Sequence, residues 1–124
     1  MAKSRRPVSF IAALEPEKAK AFYGNILKLE LIEASPYALV FSDGGNMLRV
    51  QLVTELCPAS HTVHGWQVTN IEREVEELTS KGVAFLRFNQ MKQNRLGVWT
   101  SPDGHKIAWF GDPSGNILSL TQYV

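Results

Sequence analysis

The chain has 124 residues, with 13 lysine and arginine residues against 12 aspartate and glutamate residues and a formal net charge of +1 at pH 7. A chain of this length is predicted to form one compact domain. Because the acidic and basic residues are interleaved, the sequence lacks the basic field that drives binding to nucleic acid or to a bilayer surface, so we expect a small-molecule ligand and neither a nucleic-acid nor a membrane partner.

The amino-terminal segment bears on where the protein is found. Met1 to Arg6 is basic, like the start of a signal peptide, but the apolar run from Val8 to Leu14 is interrupted by Glu15-Pro16-Glu17 before a cleavage motif or a membrane span can develop. The single cysteine, Cys57, excludes an intrachain disulfide and a multi-cysteine zinc site. These features predict an unprocessed, soluble protein of the reducing cytoplasm.

The first half of the sequence predicts a module of one strand, one helix and three further strands. The Val8–Leu14 run is apolar and bounded by proline, which indicates a buried strand. Behind it, apolar residues recur at three- and four-residue spacing after a Pro/Glu start, which predicts an amphipathic helix from Pro16 to Leu27. Apolar runs separated by turns predict three short strands, Leu29–Ile32, Ala38–Phe41 and Met47–Val53.

The second half predicts the same order of elements. A strand at Val63–Val68 is followed by a helix from Ile71 to Lys81 that Gly82 closes. Three more strands are predicted at Val83–Phe88, Lys106–Phe110 and Asn116–Tyr123, and the polar residues 89–97 are predicted to be mobile. The predicted organisation is a single domain over residues 1–124, with module one at 7–54, a linker at 55–62 and module two at 63–124.

One phrase occurs twice in the chain, once in each half. The copies are Phe41-Ser42-Asp43-Gly44-Gly45-Asn46-Met47-Leu48 and Phe110-Gly111-Asp112-Pro113-Ser114-Gly115-Asn116-Ile117-Leu118. Each copy passes from apolar strand residues through a tight Asp/Gly/Asn turn into a second apolar strand, which is the signature of a β-hairpin. The repeat therefore predicts a duplicated module, with a ligand site where the two copies meet.

These features resemble the vicinal oxygen chelate superfamily, which includes glyoxalase I, fosfomycin and bleomycin resistance proteins, and extradiol dioxygenases. The resemblance rests on the duplicated βαβββ order, on Ala21-Phe22-Tyr23-Gly24-Asn25-Ile26-Leu27, on Lys81-Gly82-Val83 and on the closing phrase from Trp109 to Leu118. It implies an α+β fold in which two βαβββ modules form a curved mixed sheet around a cavity, and it implies a homodimer. It leaves the reaction open, because the superfamily supports many chemistries on one scaffold.

The resemblance also implies where a metal would be held. In the metal-dependent members, the first and last strands of each module each supply one inward-facing ligand, usually His or Glu, to a divalent ion that acts as a Lewis acid. The corresponding residues of this sequence are Val8, Arg49, Val63 and Ser119. Valine cannot coordinate a metal, arginine repels one and serine alone is a poor ligand. We therefore expect neither a metal nor another cofactor.

The cavity that remains is predicted to combine an apolar wall with a few convergent polar groups, as small-molecule pockets usually do. Its candidate residues are Val8, Phe10, Arg49, Gln51, Val63, Gln67, Ser119 and Thr121. Two further candidates are His64, as a hydrogen-bonding group, and Trp99, which borders the polar segment and could close over a flat ligand. For Trp66 and Trp109, packing in the core is the expectation, because alternation places Trp66 on the face opposite Val63 and Gly65, toward a helix. For Trp99 core packing is the alternative, and for each histidine we expect a structural or solvated role.

Arg49 is the most informative of these candidates. A buried arginine needs a partner, and an anionic ligand could supply one through a bidentate pair of hydrogen bonds. The alternatives are that the side chain extends to the rim of the cavity or pairs with a nearby aspartate or glutamate.

Three classes of function follow from the sequence. The leading hypothesis is a sequestering or resistance-type protein that binds a small, partly apolar molecule, either neutral or anionic, without a metal. The second is an enzyme of the same superfamily, either a metal-dependent lyase or dioxygenase with ligands at other positions or a metal-free isomerase that uses Arg49 as an electrostatic clamp. The third is a structural or regulatory partner whose pocket is vestigial. Metal content separates the first two, and stabilisation by a ligand separates both from the third.

Overall fold

The computed structural model describes residues 5–124, so Met1 to Ser4, the start of the basic segment considered above, lie outside the described residues. The described chain contains eight strands: β1 (Val8–Ala13), β2 (Glu30–Ala34), β3 (Ala38–Asp43), β4 (Asn46–Leu52), β5 (Thr62–Gln67), β6 (Trp99–Thr100), β7 (Lys106–Gly111) and β8 (Ile117–Gln122). The α-helices of this part of the chain are α1 (Pro16–Lys20), which continues as a π-helix (Ala21–Ile26), and α2 (Ile71–Ser80). None of these helices is long and apolar enough to cross a membrane. The chain divides into two compact units between Pro58 and Ala59.

The first unit is a four-stranded mixed sheet in the order β1-β4-β3-β2. Strand β1 runs parallel to β4, and the other neighbours are antiparallel. Successive side chains of a strand point to opposite faces, and on one face the central strand β4 buries Leu48 and Val50 completely. The helical segment covers this face, because the rings of Tyr23 and Phe41 lie 6.0 Å apart. We call the opposite face the first open face.

The helix of the first unit differs from the predicted one. A single helix from Pro16 to Leu27 is predicted, but the α-helix ends at Lys20 and a π-helix follows, closed by a bond from the Leu27 amide to the Phe22 carbonyl at 2.9 Å. Phe22 and Tyr23 are adjacent in sequence and both are buried. We attribute the π-helix to the burial of both residues, because its wider turn lets two consecutive large side chains pack against the core.

The second unit repeats the architecture with the order β5-β8-β7-β6. Strand β5 is parallel to β8, and β7 is antiparallel to both β8 and β6. Helix α2 buries Ile71, Val75 and Leu78. Two contacts fix it on the sheet: the Ile71 amide donates to the Gln122 side chain at 2.8 Å, and Lys106 pairs with Glu72 at 3.1 Å. The face away from α2 is the second open face.

The predicted strand Val83–Phe88 is wrong. The backbone of this segment meets the sheet at one isolated bridge between Phe85 and Phe110 and at a bond from the Leu86 amide to the Trp109 carbonyl at 2.8 Å. The short strand β6 instead occupies the edge of β7, and it restores the βαβββ order of the unit. The edge of β7 is thus shared by two short segments, with β6 beside Lys106 and Ile107 and the bridge to Phe85 at Phe110.

Both predicted hairpins are confirmed, but their turns differ in length. In the first, Asp43 pairs with Asn46 around Gly44 and Gly45, whose φ angles of 58° and 89° suit a two-residue turn with positive φ at both central positions. In the second, Gly111 pairs with Ile117 and the loop between them is longer. Both copies of the duplicated phrase therefore form a hairpin, but the two hairpins have turns of different length.

Candidate functional site

The first open face carries the four candidates that sequence analysis placed in module one. Val8 and Phe10 project from β1, and Arg49 and Gln51 from β4, with Phe10 beside Arg49 in the parallel ladder. This face is largely apolar where it is exposed: 41% of Val8, 56% of Phe10 and 42% of the neighbouring Met47 is accessible to solvent. Large apolar side chains exposed together on one face are a feature of binding surfaces.

Arg49 is half-buried in the middle of this face, between Phe10 on β1 and Val40 on β3. Within residues 5–124, its guanidinium forms neither an ion pair nor a hydrogen bond with another residue. The alternative in which Arg49 pairs with a nearby aspartate or glutamate is therefore not found in the described part of the chain. Its five donors remain available to a ligand.

The second open face carries five of the six candidates of module two. Val63 and Gln67 project from β5, Ser119 and Thr121 from β8, and Trp99 from β6 at the far edge of the sheet. Ser119 is only 8% exposed and lies beside Gly65 of β5. A Cβ atom added to Gly65 would lie 2.9 Å from the Ser119 carbonyl oxygen and would overlap its Oγ, so the two strands meet here at a distance that only glycine permits.

His64 does not join this group. It projects to the opposite face of the sheet, where its ring lies 4.8 Å from that of Trp66 in an edge-to-face contact. Trp66 in turn stacks on the buried Phe110 at 6.4 Å, which agrees with its predicted position toward a helix. The structure therefore separates His64 from Ser119 and Thr121 by the thickness of the sheet.

An aromatic cluster borders the second open face, and sequence analysis did not identify it. Trp109 of β7 is half-buried and contacts Trp99 at 6.3 Å and Phe88 at 5.4 Å between ring centroids. Core packing was the expectation for Trp109. The alternation of side chains along β7 could have indicated that Trp109 points to the open face, because the residues on either side of it, Ala108 and Phe110, are buried under α2.

The open faces do not offer a donor set for a divalent metal. At the positions where the resemblance implies ligands, the first face has Val8 and Arg49 and the second has Val63 and Ser119. Among residues 5–124, no group of three or more histidine, cysteine, aspartate or glutamate side chains could hold a metal ion. The residues present therefore do not fit the ion that metal-dependent members of the superfamily use.

Comparison with known proteins addresses the fold. No protein-family model and no curated protein matches the chain. Solved structures do match, at low sequence identity. A lactoylglutathione lyase from Agrobacterium tumefaciens is 16% identical with a TM-score of 0.74, over 96% of this chain and 93% of that one. An antibiotic binding protein from a Streptomyces species is 24% identical with a TM-score of 0.72, over 100% of this chain and 99% of that one.

A third structure carries the name of the superfamily itself. This member of the glyoxalase/bleomycin resistance protein/dioxygenase superfamily from Sphaerobacter thermophilus is 19% identical, with a TM-score of 0.74, over 99% of this chain and 100% of that one. Identities this low establish the fold and not the activity. The resemblance predicted from the sequence is thereby confirmed: the chain has the fold of the glyoxalase/bleomycin resistance protein/dioxygenase superfamily.

Proposed function

We propose that the protein is a sequestering or resistance-type binder of a small, partly apolar molecule with an anionic group, and that it binds this molecule without a metal. The observation that carries the proposal is Arg49, a half-buried residue whose guanidinium has no acidic partner in the described chain, on a face with exposed Phe10 and Val8. The similarity to an antibiotic binding protein supports the same class of function.

Partial burial removes water from a guanidinium, and the cost is recovered only if an acceptor replaces that water. A carboxylate or phosphate matches the guanidinium with two parallel hydrogen bonds. The apolar part of such a ligand would cover Phe10 and Val8 and add the free energy of burying their exposed carbon surface. The first open face thus favours a molecule that has an acidic group at one end and carbon surface at the other.

The proposal extends to assembly and location. Val8, Phe10 and Ile32 leave apolar surface exposed in the first unit, and a homodimer is a common way to cover such surface. We propose a homodimer in the cytoplasm. A lyase or isomerase remains the second candidate, because one similar structure is a lactoylglutathione lyase. In that case Arg49 would stabilise a developing negative charge, and turnover of the ligand would distinguish the enzyme from the binder.

Replacing Arg49 with methionine tests the proposal, because methionine keeps much of the packing volume and removes the donors. A panel of aromatic and aliphatic carboxylates is first screened by thermal shift for compounds that stabilise the native protein. For a compound found in this way, isothermal titration calorimetry should show a loss of about 1.5–3 kcal/mol in binding free energy for Arg49→Met, the range for hydrogen bonds to charged groups. The free energy of unfolding should change less than the affinity.

The matched control is Arg73→Met, which removes an exposed arginine from helix α2. This variant should bind the same carboxylate with the affinity of the native protein. Equal dissociation constants for the native protein and Arg49→Met would show that Arg49 extends to the rim, and the anionic-ligand proposal would then fail.

A further inference from the structure

The second unit contains a cavity of about 340 Å³. None of the residues that line it belongs to the candidates predicted from the sequence. From its lining we infer that it binds a small, uncharged, planar aromatic molecule beside Ser119 on the second open face. This inference does not depend on the function proposed for Arg49, which lies in the other unit.

The cavity is built from three parts of the second unit. One wall is the segment Ser60–Thr62, which enters β5 where Thr62 pairs with Ile117 of β8. Trp109 of β7 adds its indole ring. The other wall comes from the segment after Phe88, where a turn from the Phe88 carbonyl to the Met91 amide, at 3.0 Å, places Gln90 and Met91 along the cavity.

The second wall is held in place by the side chain of Gln93. Its Nε2 donates to the carbonyls of Leu86 at 2.9 Å and Gly97 at 2.8 Å, and its Oε1 accepts from the Phe88 amide at 2.8 Å. One amide group therefore ties together both ends of the segment that sequence analysis predicted to be mobile. A wall that is already ordered lowers the entropy that a ligand must overcome on binding.

The lining contains carbon surface and neutral polar groups but no charged side chain. Phe88 and Trp109 meet edge to face, at 90° and 5.4 Å, and Met91 adds a thioether that packs well on aromatic rings. The basic side chain of Arg87 is directed elsewhere, to the Arg95 carbonyl at 2.6 Å. A charged ligand would lose hydration here without gaining a counter-charge, so the cavity favours a neutral one.

The side chains of Ser60, His61 and Gln90 add hydrogen-bonding capacity to the cavity. The Nδ1 atom of His61 lies 3.0 Å from the Thr62 carbonyl, which can only accept, so Nδ1 is the donor of this bond. Within residues 5–124, the side chains of Ser60 and Gln90 form no hydrogen bond with another residue. The site can therefore bind an aromatic ring that carries a hydroxyl or an amide.

The test uses 2-naphthol, which is neutral at pH 7, with 2-naphthoate as its anionic counterpart. Methyl-¹³C labelling of methionine gives separate signals for Met91, which lines this cavity, and Met47, which lies on the first open face. Titration with 2-naphthol should shift the Met91 methyl signal in a saturable way and leave that of Met47 unchanged. The Met91 signal should respond to 2-naphthoate with an affinity weaker by about tenfold or more, because the lining has no counter-charge.

A pair of variants links the response to the aromatic wall. Phe88→Leu removes a partly exposed ring and should weaken 2-naphthol binding by about fivefold to tenfold, whereas Phe88→Tyr should retain it. Tyr37→Leu, an exposed aromatic of the first unit, is the matched control and should leave the Met91 titration unchanged. No saturable shift of Met91, an equal shift of Met47, or equal affinity for the naphthoate would each overturn the inference.

Discussion

Replacing Asp112 with alanine should lower the free energy of unfolding by about 3–4 kcal/mol, because it leaves buried donors without acceptors. One carboxylate oxygen of Asp112 accepts from the amides of Ser114 and Asn116, both at 2.9 Å, and the other accepts from the Asn116 side chain at 2.8 Å. Asp112 and Asn116 are 8% and 4% exposed, so water cannot replace these bonds. Urea denaturation of the native protein and the variant measures the difference.

The control for this prediction is Asp103→Ala in the exposed turn before β7. Asp103 forms no side-chain hydrogen bond or ion pair with another residue of the described chain, so its removal should change stability by less than about 0.5 kcal/mol. If Asp112→Ala were as mild as Asp103→Ala, the hydrogen bonds of the second hairpin would not be what fixes its turn.

Replacing Gly65 with alanine should be the second most damaging of the proposed substitutions, with a loss of about 2–3 kcal/mol in the free energy of unfolding through overpacking. The added Cβ would lie 2.9 Å from the Ser119 carbonyl oxygen, and a backbone atom inside a β ladder cannot move aside as a flexible side chain can. Because the clash lies at the centre of the second open face, the variant should also displace Ser119. Thermal or urea unfolding measures the loss of stability.

Gly24→Ala is the matched control, since it makes the same chemical change in the helical segment of the first unit. Its added Cβ would meet the nearest side chain, Phe41, at an ordinary contact distance of 3.7 Å. Alanine also has a higher helix propensity than glycine, so this variant should have the stability of the native protein or be slightly more stable. A loss for Gly65→Ala no larger than for Gly24→Ala would show that β5 and β8 can separate without cost.

The parts of the fold that sequence analysis predicted correctly are those that depend on local chemistry. The first hairpin is fixed by Gly44 and Gly45, which allow the positive φ angles that its turn requires. The second is fixed by Asp112 and Asn116, whose side chains bond to each other and to the turn. Helix α2 follows from the three- and four-residue spacing of its buried residues, and these signals need no knowledge of distant parts of the chain.

The parts that were predicted wrongly depend on tertiary competition. The apolar segment from Val83 to Phe88 has the composition of a strand, but the edge of β7 beside it is shared with β6. Likewise, the change from α-helix to π-helix at Ala21 reflects the packing of Phe22 and Tyr23 on the core, which helix periodicity does not encode. In both cases the local preference is real, and a contact made elsewhere in the unit overrides it.

The candidate site was predictable only in part for the same reason. The two-residue period of strands placed Arg49, Ser119 and their neighbours on open faces, because that period depends on backbone geometry alone. The cavity of the second unit was missed because Gln93 and Trp109 lie far from Ser60 in sequence and meet only in the folded unit. The sequence feature that points to this cavity is the amide-rich composition of residues 89–97. That composition predicts a mobile segment, whereas in the structure the segment forms a hydrogen-bonded wall.

The chain has the fold of the glyoxalase/bleomycin resistance protein/dioxygenase superfamily, and we propose that its open faces bind organic ligands without a metal. Elemental analysis of purified protein tests it most directly. We expect less than about one tenth of an equivalent of nickel, zinc, iron or manganese, and thermal unfolding that chelation leaves unchanged, since a structural metal would contribute to folding. Stoichiometric metal, or a melting temperature that falls on chelation, would contradict the account and make the glyoxalase-like enzyme the leading hypothesis.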